Sequence, residues 1–127
     1  MNDMELAAGL AATAGYRYAD TIGNELFVAG QVPLDGDGNL VGFGDPGRQA
    51  RRCLDNLRTL VQAHGFGIDD AHQLTVYVGG EHPDVLDAWR GVVDWFDGEV
   101  PPATLLGVSL LGHADQLVEI DARIVRG

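Results

Sequence analysis

Apolar residues recur at three- and four-residue steps through Ala50, Cys53, Leu54, Leu57, Leu60 and Val61, the spacing of one face of an α-helix. Asp45 stands before this run as a capping residue, Pro46 suits the first helical position, and Gly65 stops the pattern. A second stripe, Val85, Trp89, Val92, Val93 and Phe96, predicts another amphipathic helix from near Pro83 to Gly98. Between them Leu74, Val76 and Val78 alternate with Thr75 and Tyr77, as in a strand with one apolar face that ends at Gly79-Gly80. Tyr16 to Gln31 reads as two short strands around Gly23-Asn24, and Pro33 to Gly47 as a surface excursion. A strand around Leu105 to Leu110, a polar turn at Gly112 to Asp115 and a strand from Gln116 to Arg126 complete the chain. The order β-β-α-β-α-β-β predicts an α+β fold, a mixed sheet with both helices on one face.

The other face then needs a cover. Leu26 to Ala29 and Leu105 to Leu111 are apolar on both alternations, and a sheet face of that kind left in water exceeds what monomers usually expose. A homo-oligomer is expected. The last strand turns Val118, Ile120, Ala122 and Ile124 one way, toward the helices, and Glu119, Asp121 and Arg123 the other, toward the oligomer seam. Glu119 there either pairs with Arg123 or, if its carboxyl is buried, exchanges protons with a bound water.

With 127 residues, 46% of them hydrophobic and 21% charged, the chain reads as one domain, residues 1–127, of ordinary globular composition. Its single cysteine cannot form an internal bridge. There is no basic-then-apolar leader and no apolar run of about 18 residues, so a cytoplasmic protein without a membrane partner is expected. The net charge of −11 sets 19 acidic residues against 8 basic ones, all arginine. That balance argues against nucleic-acid binding, which needs clustered positive charge.

Motifs for metals and nucleotides do not hold up. Gly42-Phe43-Gly44-Asp45-Pro46-Gly47 has the G-x-G-x-x-G spacing, but Asp45 sets a carboxylate where a phosphate would sit and no βαβ unit surrounds it. Asp35-Gly36-Asp37-Gly38-Asn39 opens like a calcium loop, yet Leu40 and Pro46 stand where glycine and glutamate are required. His64, His72, His82 and His113 offer no zinc spacing, and Cys53 belongs to the helical apolar stripe as a core residue. Neither metal nor cofactor is expected.

Taken in order, Gly23-Asn24-Glu25-Leu26-Phe27-Val28-Ala29-Gly30-Gln31, the helix Gln49 to Gly65 with Asp55-Asn56-Leu57, Thr75-Val76-Tyr77-Val78, Pro101-Pro102-Ala103 and Val118-Glu119-Ile120 resemble the YjgF/RidA family. The resemblance spans nearly the whole chain. It implies a chorismate-mutase-like fold assembled as a homotrimer, with small-molecule clefts between neighbouring subunits. It further implies cofactor-free hydrolysis of reactive 2-imino or enamine acids to 2-keto acids and ammonia. On the matching positions Glu119 would handle the hydrolytic water, while Tyr16 and the Gly30 backbone would line the cleft.

The chain departs from the family where an arginine grips the substrate carboxylate, because Thr104 follows Pro102-Ala103. A threonine hydroxyl cannot supply the charge of a bidentate guanidinium. Trp89, where many members carry a small polar residue, and Leu106, beside Thr104, would make the pocket more apolar. The expectation is a Rid-type hydrolase for a small imine, enamine or related carbonyl compound other than a simple 2-imino acid. Arg17 or Arg90 could instead supply the missing anchor, against the reading of Arg17 as an exposed edge-strand residue. The alternative class is a ligand-binding or regulatory trimer that keeps the cleft without chemistry.

Overall fold

The computed structural model describes residues 2–127 as α1 (Asp3–Ala7), β1 (Ala19–Ile22), β2 (Glu25–Val28), α2 (Pro46–Ala63), a 3₁₀ turn (Ile68–Asp70), β3 (Ala71–Gly79), α3 (His82–Trp95), β4 (Ala103–Val108) and β5 (Val118–Val125). The five strands form one mixed sheet in the order β1-β2-β5-β3-β4. Only β3 and β4 run parallel, and α3 is the crossover that such a pair requires. The last strand thus lies in the middle of the sheet, where neighbours on both sides hold Glu119 in fixed register.

Asp45 caps α2 by accepting from the Arg48 backbone N–H at 3.0 Å, and Pro46 begins the helix. All six residues of its apolar stripe are fully buried. Five of them pack on Leu26, Leu74, Val76, Val78, Val118, Ile120 and Ile124, the set on which the strand alternation placed the helices, while Leu60 packs in a smaller cluster toward the N-terminal segment. Gly47 of α2 and Gly91 of α3 bring the two helices into close approach: a Cβ on Gly91 would collide with the Gly47 carbonyl.

The sequence reading contained no helix before the first strand. Helix α1 spans only five residues, too few for a periodic signal, and a capping box holds it: Asn2 Oδ1 accepts from Glu5 N and Glu5 Oε1 from Asn2 N. The segment that follows buries Leu10 and Tyr18 against Leu60, and the Tyr18 hydroxyl donates to the Ala11 carbonyl at 2.7 Å. Burial, with Tyr16 and Glu5 adding, pushes the Tyr18 phenol from 10.0 up to about 12. Above pH 10 the unfolded chain releases this proton and the folded chain keeps it, so stability present below pH 10 is lost as pH rises toward 12. Urea midpoints measured between about pH 9 and about pH 11.5 should therefore fall more in the wild type than in Tyr18→Phe.

The sheet face away from the helices is open in the single chain. Leu26 is buried as expected, but its neighbour Phe27 is 50% exposed and Leu106 is 42% exposed, and beyond the end of β4 Leu110 is 78% exposed. Gln31 pairs with Ile120 as an isolated bridge beyond β2, which carries Ala29 and Gly30 alongside β5.

Candidate functional site

Glu119 lies on that open face in a row with Tyr77 and Leu106, and the next row holds Asp121, Thr75 and Thr104. Its neighbour on the other side is Gly30, whose missing side chain is required: a Cβ there would collide with Glu119 Oε2. The other carboxylate oxygen, Oε1, accepts from Gln116 Nε2 at 3.3 Å. Glu119 does not pair with Arg123, two positions along on the same face. Arg123 reaches across to Glu25 Oε1 at 3.3 Å, because the antiparallel register sets it beside β2. Among the described residues Glu119 has no ion-pair partner.

The carboxylate opens onto a cleft of about 400 Å³ lined by Ala14, Tyr16, Ala29, Gly30, Val32, Gly112, His113 and Glu119. Three elements build it: the segment before β1 brings Tyr16, the segment after β2 brings Gly30, and the turn before β5 brings His113. A carboxylate beside an imidazole, a phenol and open backbone can bind a small polar molecule and exchange protons with it. Among the described residues no cluster of His, Cys, Asp or Glu is arranged to hold a metal ion.

Of the eight residues singled out from the sequence, Tyr16, Gly30 and Glu119 meet in this cleft. Thr104 and Leu106 share the sheet face with Glu119 but lie on edge strand β4, with β3 and the Tyr77 side chain between. That is two strand spacings, roughly 10 Å. Trp89 packs on the helix-side core, across the sheet from Glu119. Arg17 points away to Asp20, 3.5 Å off, with 74% of its side chain in solvent, and Arg90 is exposed on α3. Neither arginine lines the cleft in this chain.

Two residues of the site went unassigned in the sequence. The sequence shows Gln116 only as the first residue of a strand, and His113 only within a turn and among histidines lacking zinc spacing. The Gln116 side chain is buried and ties the turn to the strand: Oε1 accepts from His113 N at 3.1 Å while Nε2 donates to Glu119 and to the Val118 carbonyl. Nearby titrations follow from burial and charge. The Tyr77 phenol, which donates to Asp121 Oδ2 at 3.2 Å, is raised by burial first and then by Asp121. The Cys53 thiol, sealed in the core against Val118, is pushed well up by burial, with the Glu119 charge adding, so it is an inert core thiol.

Comparison with known proteins agrees with this fold. The endoribonuclease L-PSP family matches residues 6–125. A RutC family protein of Pyrococcus horikoshii is 32% identical over 107 residues, covering 84% of this chain and 83% of its own length. A RutC family protein of Sulfurisphaera tokodaii is 32% identical over 106 residues, 83% of this chain and 82% of its own. The crystal structure of the YjgF gene product of E. coli superposes with a TM-score of 0.82 at 27% identity, over 94% of this chain and 95% of that one.

Proposed function

The chain belongs to the endoribonuclease L-PSP family, that of the YjgF/RidA proteins, and from that premise we propose that it is a Rid-type hydrolase acting on a small, reactive imine or enamine, with Glu119 as the group that takes and returns the proton of the attacking water. The observation that carries the reading is the placement of Glu119: free of any ion pair among the described residues, oriented by Gln116, and set against a glycine that leaves Oε2 open to the cleft.

The substrate class follows from what the lining lacks. None of the 8 arginines borders the cleft, and Thr104 holds the position from which the family's arginine would reach a carboxylate. An uncharged imine, or one whose charge lies away from the reacting carbon, suits this lining better than a 2-imino acid. The same shortage of positive charge, in a chain of net charge −11, is poorly suited to an RNA backbone.

A homotrimer completes the proposal. The apolar side chains of Phe27 and Leu106 left open on the sheet face, with Leu110 exposed just beyond β4, favour a second copy packed there. Such packing would also set Thr104 and Leu106 of one copy beside the Glu119 cleft of the next, which one chain alone does not do.

The test is ammonia release above the spontaneous rate from imines generated in place, 2-imino acids by an amino-acid oxidase and uncharged imines by an amine oxidase. The protein used is first confirmed as a trimer by light scattering. The expected result is acceleration of the uncharged imines and little with 2-iminobutanoate. A trimer silent across the panel would overturn the hydrolase and leave a ligand-binding trimer.

A further inference from the structure

His113 is the cleft's one side chain able to carry positive charge. Among the described residues its imidazole has no hydrogen-bond or ion-pair partner. Its backbone is nevertheless held in place, because the Gln116 side-chain amide accepts from His113 N at 3.1 Å and donates to Glu119 Oε1 at 3.3 Å. One buried amide, 5% exposed, therefore fixes the two proton-exchanging residues relative to each other. Arginine is absent from the same lining, so no permanent cation competes for a developing negative charge or nitrogen lone pair.

We propose that His113 is the second proton-transfer group of this cleft, donating to the imine nitrogen while Glu119 receives the proton of the water. This rests on the hydrolase reading above and assigns its other half. In the first step the water oxygen bonds to the imine carbon, the C=N π pair moves to nitrogen and takes the imidazolium proton, and Glu119 takes a proton from the water. In the second step Glu119 returns its proton to the amine, the C–N bond breaks with release of ammonia, and the hydroxyl proton passes to His113 as the carbonyl forms. Imine and water become carbonyl compound and ammonia, and both side chains end as they began.

The titratable groups bordering His113 are Glu119 from β5, Tyr16 from the segment before β1, and Asp115 on its own turn. Activity then needs Glu119 ionised and His113 protonated, which gives a bell whose alkaline limb belongs to His113.

Two measurements decide this. In the first, the His113 ring is titrated by NMR, its signal assigned with His113→Gln. Its midpoint is expected to drop in Glu119→Gln, and a midpoint unmoved by that change would overturn the pairing whether or not any imine is hydrolysed. In the second, ammonia release is followed against pH. His113→Gln is expected to lose about 100-fold and the alkaline limb together, while His113→Lys keeps a donor and moves the limb to higher pH. Full rate with an intact alkaline limb in His113→Gln would overturn the proposal while leaving Glu119 and the hydrolase reading standing.

Discussion

Glu119→Gln is expected to lower ammonia release by about 100- to 10,000-fold, the range that a positioned general acid–base group supplies, with the fold and assembly kept. The amide has the shape of the carboxyl group, and its oxygen can still accept from Gln116 Nε2, the 3.3 Å contact that orients the side chain. What it cannot do is take a proton from water. The stability change should be small, within about 0.5 kcal/mol, since the substitution breaks no ion pair and leaves no buried charge unpaired. A thermal melt and a light-scattering mass beside the rate assay separate loss of chemistry from loss of structure. An unchanged rate in a folded protein of wild-type mass would move the reaction centre away from this cleft.

Most of the architecture was legible because each element carried its own punctuation. Helix α2 begins at Asp45-Pro46 and ends before Gly65, which takes a φ of +80°, and its stripe needed no partner to be recognised. The alternation in β5 likewise told which side chains face the helices. What the pattern could not hold was the pairing across strands. Glu119 and Arg123 share a face at a spacing of two rows, and only the β2–β5 register shows that Arg123 is taken by Glu25. The same limit hid the Glu5–His64 contact at 2.7 Å, between residues 59 positions apart, and with it the reason a five-residue helix docks at the end of α2.

The site was legible where a residue's role is set by its own strand and hidden where it depends on a turn. Glu119 follows from strand parity, and Gly30 from the short stretch beside it. Resemblance points to Trp89, and proximity in sequence to Tyr16 points to Arg17. The structure places the first on the helix layer and the second beside Asp20. Gln116 and His113 escaped because a turn of Gly112-His113-Ala114-Asp115 has no period, so nothing in the sequence says which way its side chains point. Asp115 takes a φ of +62°, and that left-handed residue is what folds the Gln116 amide back onto the His113 N–H.

Thr104→Arg is expected to raise kcat/KM for 2-iminobutanoate by roughly 30-fold to several thousand-fold, the equivalent of about 2 to 5 kcal/mol for a charged contact in a desolvated cleft. The position can accept the larger side chain, because Thr104 is exposed on edge strand β4 and touches no part of the buried core. A guanidinium there would meet the substrate carboxylate with two parallel hydrogen bonds, which a hydroxyl cannot imitate. The gain should be selective. Uncharged imines have nothing for the fork to hold, so their rates should stay level or fall as the pocket narrows. Because Thr104 and Glu119 are separated by β3 within one chain, a gain also requires that β4 of one copy closes on the cleft of another, and it should disappear under conditions that split the proposed trimer. No gain in a folded trimer would mean that Thr104 does not face the reacting molecule, and the substrate class would then have to be set by Tyr16, His113 and the Gly30 backbone alone.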